Sequence, residues 1–415
     1  MNNTYVKRLD TPHRLHLETT KYCNMRCEHC YVSSDNSFSH PSIDIIKNII
    51  KISKKYNIKR ITLTGGEFLT RPDSREILKY IFDVGFTNIY FISNGLAISK
   101  DILNWIAKIK TKHFFRNLIL NFYKKDYKPI TFGIGISLDG FISHGKIRKN
   151  NQGKPIKYYS ILRKLELIGK YGIFTTVNTV VSNRETAYEL YNMYRKFLSM
   201  NIDRWQIDQL FISGRSINNK NIRNYDSWIE IAKWNYQRII KHYIQNYSWT
   251  KKLDLNIVQL FRKGILTKGI MVANNNYHPC GYQFGSIISE NDGDIRFCPS
   301  LRYDGDKIFN INDKPLSSSS FMENSNFNKF SQLKIDDLPC KNCKYKFISH
   351  GGCRANSQSY YGKIYTIDPI CCELSPFFEK EILPLLPKEI KDQYTKALYN
   401  PKYTDKLEVI KLNKL

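Results

Sequence analysis

Between residues 14 and 214 the hydrophobic pattern of the chain switches its period again and again. Short, mostly apolar runs, "RLHLETT", "RITLTGGE", "NIYFISNG", "TFGIGISLDG", "FTTVNTVVSN" and "RWQIDQLFISG", are separated by longer segments whose apolar residues recur every three or four positions. The short runs read as strands and the longer segments as amphipathic helices. "SIDIIKNIIKISKKY" sets Ile45, Ile46, Ile49 and Ile50 on one helical face, with Ser42 as its cap and Asp44 in its first turn. "PDSREILKYIFDVG", ending at Gly85, "KDILNWIAKI", "YSILRKLELIGKYG" and "TAYELYNMYRKFLSM" follow the same period. Six strand-helix units in a row predict an α/β fold with a parallel sheet, curled into a partial (β/α)6, TIM-like barrel.

The rhythm is broken once, at residues 109–130, where a longer helix with a surface loop is expected in preference to a lid. Beyond Gly214 it stops. "YDSWIEIAKWNYQRIIKHYIQNY" predicts a long amphipathic helix, and residues 278–375 are turn-rich, strand-poor and cysteine-rich, with a serine run at 317–320 expected as a surface loop. The expected organisation is a barrel over residues 1–215, a helical bridge over 216–277, a cysteine-rich, loop-rich domain over 278–375 and a tail over 376–415.

With 415 residues, 42% of them hydrophobic, the chain can fill a sizeable core. No run of eighteen apolar residues occurs, and the start "MNNTYVKRLDTPHR" lacks the apolar block of a signal peptide, so a cytoplasmic location without membrane contact is expected. The net charge of +27 would steer an acidic partner. Its lysines are scattered over helix faces and not blocked into arms, so nucleic acid is not expected as that partner.

Ten cysteines in a reducing compartment point to metal or redox chemistry, not to disulfides. They fall into two fields: Cys23, Cys27 and Cys30, then Cys280, Cys298, Cys340, Cys343, Cys353, Cys371 and Cys372. The first has the spacing Cys-x3-Cys-x2-Cys directly after a strand. A structural zinc site wants four ligands, and only His29 is at hand to close one. A four-iron cubane on three thiolates instead leaves one iron open.

This first field resembles the radical S-adenosylmethionine superfamily, down to the aromatic Tyr31 after the third cysteine. "TGGEFL" resembles the family's GGE motif, which implies that Gly65 and Gly66 admit close backbone approach and that Glu67 binds the α-ammonium of S-adenosylmethionine. "ISNG" and "SLDG" resemble the ribose- and carboxylate-contacting segments and implicate Ser93, Asn94, Ser137 and Asp139. By the same resemblance Arg148 holds the methionine carboxylate, while Asn178 and Thr179 line the site. The implied chemistry is reductive cleavage of S-adenosylmethionine by a [4Fe-4S] cluster to a 5′-deoxyadenosyl radical that takes hydrogen from an unactivated carbon.

The second field, Cys280-x12-Gly293-x4-Cys298, then Cys340-x2-Cys343, Cys353 and the pair Cys371 and Cys372, resembles the SPASM extension of that superfamily. Ser349, followed by His350, stands where the resemblance calls for a further cysteine. The resemblance implies two auxiliary iron-sulfur clusters: Cys280, Cys298 and Cys353 on the first, and Cys340, Cys343 and one or both of Cys371 and Cys372 on the second. A vacancy, His350 or an adjacent cysteine would then complete the second. The other reading of this region is a pair of zinc knuckles.

Auxiliary clusters suit a net two-electron oxidation, so the implied function is modification of a ribosomally made precursor peptide, with an external donor such as flavodoxin or ferredoxin. An intramolecular C–C or ether cross-link, as in the darobactin-type maturases, is expected ahead of sulfatase-maturase-like oxidation of a Ser or Cys side chain, or thioether formation. A radical enzyme acting on RNA is favoured by charge alone. A zinc-stabilised nucleic-acid module leaves the GGE, SNG and SLDG segments unexplained. The short ends leave no room for a separate leader-recognition domain, so recognition is expected on the barrel rim or through another protein. No residue is assigned as catalytic base; Asp208 is as readily a structural partner.

Overall fold

The computed structural model describes residues 14–123, 130–219, 224–258, 260, 279, 286–296, 298–302 and 307–399. It is a mixed α/β fold with a largely parallel sheet, and the chain divides into two compact units, residues 1–137, 148–176 and 282–331 in the first and 138–147, 177–281 and 332–415 in the second.

In the first unit β1 (Arg14–Thr20), β2 (Arg60–Gly65), β3 (Asn88–Ser93) and β4 (Thr131–Ser137) pair in parallel in that order, with Leu17 level with Leu63 and Phe91 with Ile134. Aligned residues of a parallel sheet point to the same face. One face therefore carries Leu15, Leu17, Ile61, Leu63, Ile89, Phe91, Phe132 and Ile134, all buried. Covering each such side chain contributes about 1.5–3 kcal/mol. The opposite face is polar, with His16 and Glu18 on β1, Thr62 and Thr64 on β2 and Tyr90 on β3. A sheet that was only a core would not keep a buried carboxylate there.

The helix Ile43–Lys55 is capped as expected by Ser42, whose oxygen accepts from the Asp44 N–H at 3.2 Å. Ile46, Ile49 and Ile50 are buried, but Ile45 is 38% exposed and lies off the packed stripe. The 3.6-residue period rotates position 45 out when 46, 49 and 50 face in. The lengthened helix in the 109–130 segment is present as Lys100–Tyr123, and residues 124–129 lie outside the described residues.

Four strands escape the sequence reading, one of them β7 (Asp254–Ile257), inside the stretch expected as a helical bridge. β8 (Ser286–Ser289) pairs in parallel with β1, β9 (Asp294–Arg296) pairs antiparallel with β8, and β10 (Lys307–Asn310) antiparallel with β9. Each has three or four residues, too short to declare a period. The serine run is not a loop. Ser317 caps a short helix, Ser318–Met322, and Ser320 is buried.

In the second unit β5 (Phe174–Val181, whose first three residues belong to the first unit) is followed by β6 (Arg204–Gln209), which pairs in parallel with β7 (Asp254–Ile257). The helix Arg184–Leu198 packs against the long helix Asp226–Gln245. Trp205 of β6 is fully buried against Phe197, ring centroids 5.2 Å apart, and donates its indole N–H to Thr179 Oγ1 at 2.9 Å. The last described element, Lys388–Tyr399, is helical and buries Ile390, Tyr394 and Leu398. No described helix is long and apolar enough to cross a membrane.

Asn183 caps the helix Arg184–Leu198 by accepting the Thr186 N–H at 2.8 Å. Asn183→Ala is expected to cost about 1 kcal/mol in urea unfolding; an unmoved midpoint would show that the cap contributes nothing.

Candidate functional site

The loop after β1 carries the first three cysteines at the C-terminal end of the strand. Thr20 Oγ1 turns the chain by accepting the Tyr22 N–H at 3.0 Å, and the Cys23 N–H donates to Asp35 O at 2.9 Å. The Arg26 N–H reaches Lys149 O at 2.8 Å, tying the loop to the segment of Arg148. Cys23, Met25 and Cys27 form a buried cluster against which Cys30, Leu96 and Ile156 pack. All three sulfurs receive N–H donors: Asn94 Nδ2 lies 3.8 Å from Cys23 Sγ, Arg148 Nη1 3.9 Å from Cys27 Sγ and Ser34 N 3.3 Å from Cys30 Sγ.

Burial pushes the Cys23 thiol far above its ordinary value, and the Glu67 carboxylate and the Cys27 and Cys30 thiols push in the same direction. A thiol held protonated by burial and by neighbouring thiols suits a cation that would draw off its proton on binding. Among the described residues no three of the cysteine sulfurs lie within 4.8 Å of one another. Thiolates on a single zinc ion, each bonded at about 2.3 Å, would be closer than that. The donor set of three thiols fits the iron site expected from the sequence.

The GGE turn after β2 is pressed against this loop. Gly66 N–H donates to Thr20 O at 2.7 Å and Glu67 N–H to Tyr22 O at 2.9 Å. Gly65 takes φ +111°, and a Cβ on Gly66 would lie 2.0 Å from the Tyr22 carbonyl oxygen. Glu67 is fully buried. Its carboxylate accepts from Leu69 N–H at 3.2 Å, Ser93 Oγ at 3.0 Å and Asn94 N–H at 2.7 Å. Burial pushes its carboxyl up to about 7, against the pull of these three donors. Ser93 thus spends its proton on Glu67 and accepts from Gly95 N–H at 3.0 Å, while Asn94 Nδ2 also holds Asn24 Oδ1 at 2.7 Å. Turn, SNG segment and cysteine loop form one hydrogen-bonded body.

Ser137 ends β4, half-buried, in the first unit. In the second unit Asp139 is buried and gives its carboxylate to Val180 N–H at 2.9 Å, a structural task within the SLDG turn. Glu189 braces the same turn by accepting the N–H groups of Phe141 and Ile142 at 2.5 Å and 2.8 Å. Asn178 presents a buried Nδ2 that has no partner among the described residues.

Sequence reasoning missed a charged network on the polar face. Arg302 pairs with the buried Glu18, bonds Glu290 at 2.7 Å and lies over the Tyr31 ring at 5.2 Å. Burial pushes Glu18 up to about 7 while Arg302 pulls it down. The available signal was Glu18 itself, a carboxylate inside an apolar strand run. Arg71, fully buried, was missed as well; it donates to Thr19 O at 3.0 Å and Pro41 O at 2.9 Å and pairs with Asp73. Asp208 accepts from Gln206 at 2.6 Å, and burial lifts its carboxyl to about 6.

In the second field Cys280 lies outside the described residues. Cys298, in the first unit, accepts the Ser300 N–H on its sulfur at 3.4 Å. Cys340, Cys343, Cys353, Cys371 and Cys372 all belong to the second unit. Asp368 caps the helix Pro369–Phe377 through the Ile370 and Cys371 N–H groups at 3.1 Å and 3.2 Å, and its other oxygen takes the Cys353 N–H at 2.7 Å.

The Radical SAM superfamily model matches residues 17–197. The chain is 22% identical, over 87% of its length and 97% of the relative's, to an AdoMet-dependent heme synthase of Methanosarcina barkeri. It is 25% identical, over 88% of its length and 93% of the relative's, to a cysteine-type anaerobic sulfatase-maturating enzyme of Clostridium novyi. Among solved structures, native anSMEcpe with bound AdoMet and a Cp18Cys peptide shares the fold with a TM-score of 0.66 at 17% identity, covering 92% of this chain and 99% of that one.

Gly66→Ala is expected to cost about 1–3 kcal/mol through overpacking, because the obstructing atoms are backbone. A guanidinium melt equal to wild type would show that turn and loop can separate freely.

Proposed function

From the premise that this chain is an enzyme with a radical SAM domain, we propose that it oxidises a side chain of a precursor peptide, forming an intramolecular C–C or ether cross-link in a ribosomally made product. The observation that carries this reading is the second cysteine field, five thiols of which belong to one unit, with Asp368 holding the backbones of Cys353 and Cys371. Auxiliary clusters there would accept the electron left after hydrogen abstraction. The likeness to anSMEcpe, which binds AdoMet and a peptide, supports both cofactor and substrate class.

Cys23, Cys27 and Cys30 would hold a [4Fe-4S] cluster. When bound, that cluster and S-adenosylmethionine supply one-electron reductive cleavage and a hydrogen-abstracting carbon radical. Everything else is the work of the chain. Glu67, held by three donors, keeps acceptor capacity for an ammonium. Arg148, 9% exposed and beside Cys27, offers a guanidinium to a carboxylate. Asn94 fixes the loop, Ser93 orients Glu67, Gly65 and Gly66 admit the close approach, Tyr31 packs under Arg302, and Ser137 and Asn178 offer polar contacts. Asp139 acts through the turn it braces. Cys280, Cys298 and Cys353 would serve the first auxiliary cluster and Cys340, Cys343 with Cys371 or Cys372 the second. A small acidic redox protein, flavodoxin or ferredoxin, suits the +27 charge as electron donor.

A second reading, oxidation of a small molecule, is favoured by the full-length likeness to the heme synthase. Co-expression with short peptides encoded beside the gene separates the two. A peptide lighter by about 2 Da, two hydrogens for a net two-electron oxidation, supports the first reading; no modified peptide favours the second.

Anaerobically reconstituted protein is expected to bind about 8–12 iron atoms per chain, the content of two to three four-iron clusters, and to release 5′-deoxyadenosine with reductant. Cys27→Ala should abolish that release, and zinc in place of iron would sink the reading.

Since the Glu67 carboxyl is pushed up to about 7, its ionised fraction rises from roughly one-tenth at pH 6 to nine-tenths at pH 8. An ammonium needs the ionised form. S-adenosylmethionine should therefore bind about tenfold tighter at pH 8 than at pH 6, with the slope lost in Glu67→Gln. Equal slopes in the two proteins, followed by anaerobic calorimetry, would remove Glu67 from the site.

A further inference from the structure

We propose that the adjacent Cys371 and Cys372 are two separate ligands of one iron-sulfur cluster whose other ligands are Cys340 and Cys343, so that Cys371 replaces the thiol missing at Ser349. This rests on the iron-sulfur reading of the second cysteine field.

The turn Pro339–Asn342 presents the first pair, with Cys343 N–H donating to Cys340 O at 2.9 Å. Cys372 faces this pair. Both Cys340 and Cys343 lie close enough to act electrostatically on its thiol. Cys371 points elsewhere: its sulfur lies 4.0 Å from the backbone oxygen of Ser349. The thiol that the sequence lacks at 349 is thus brought to residue 349 from another part of the chain.

Helix geometry makes the division possible. Successive side chains on a helix diverge by about 100°, so neighbours in the first turn of Pro369–Phe377 cannot crowd onto one iron but can reach two corners of a cluster. Both backbones are fixed for the task. Cys371 N–H donates to the Asp368 carboxylate at 3.2 Å, and Cys372 N–H to the Asp368 carbonyl at 3.0 Å. Ser349 is itself a poor alternative, because its hydroxyl oxygen is engaged by Gly351 N–H at 3.3 Å and a neutral hydroxyl is a harder, weaker donor to iron than a thiolate. His350, with φ 56°, closes the short helix Lys346–Ser349.

The test uses the full chain with Cys23, Cys27 and Cys30 replaced by Ala, so that only the second field binds iron. Iron, acid-labile sulfide, Mössbauer spectra and electron paramagnetic resonance are read after anaerobic reconstitution. Cys371→Ala is expected to lose about one iron per chain, from a four-iron to a three-iron cluster, or that cluster entirely. Adding Ser349→Cys to Cys371→Ala should restore the four-iron signal, which a merely misfolded variant would not do. His350→Ala should leave iron and spectra unchanged. Unaltered iron and spectra in Cys371→Ala, iron loss in His350→Ala in its place, or failure of Ser349→Cys to rescue would each overturn the assignment while leaving the iron-sulfur reading intact. Zinc without iron in the parent protein would overturn both.

Discussion

The close approach of the Gly65–Glu67 turn to the carbonyls of Thr20 and Tyr22 is the contact on which the rest of the site depends. Two backbone hydrogen bonds, at 2.7 Å and 2.9 Å, join the end of β2 to the cysteine loop after β1. Only a residue without Cβ can occupy position 66 at that distance from Tyr22. Once the turn is seated, Glu67 is buried, and a buried carboxylate must find donors. It finds them in the Ser93 and Asn94 segment, and Asn94 in turn reaches Cys23 and Asn24. One backbone constraint therefore propagates through three loops and sets the Cys23 sulfur and the Glu67 carboxylate in fixed relation.

A second consequence is electrostatic. The polar face of the sheet carries Glu18, and Arg302 answers it from a segment more than 280 residues away in sequence while also covering Tyr31. Breaking a buried pair of this kind leaves an uncompensated charge, which is far more costly than the pair is worth. The residues after Cys298 are held to the strand that leads into the first cysteine loop by charge as well as by the β1 to β8 pairing.

Much of this was legible in the sequence because the signals are periodic or repeated. The alternation of apolar runs gave β1 to β6 and their helices, and the triad Cys23, Cys27 and Cys30 and the GGE motif at Gly66 and Glu67 pointed to two segments that the structure brings together. What could not be read has physical reasons. β7 and β8 are stabilised by β6 and β1, far away in sequence, which outweigh any local preference, while β9 and β10 are too short to show a period. Ile45 and Ile46 are chemically identical, and only packing decides which one is buried. Ser317 and Ser320 form a cap because a helix follows, which a run of four serines does not announce. Glu18 and Arg302 carry no local sign of their pairing, and Cys371 and Cys372 differ only in the direction that the helix gives them.

Asp368 is a shared foundation. One carboxylate holds the backbone of Cys353 and that of Cys371, and its side chain fills the space beside Gly352 that a Cβ would need. Order imposed on either cysteine segment lowers the entropy still to be lost by the other, which is a positive coupling between two binding events. On the proposed two-cluster reading, cluster insertion is therefore expected to be cooperative: the first set of irons to arrive prepares the ground for the second, and a partly loaded protein should be rarer than independent filling would make it.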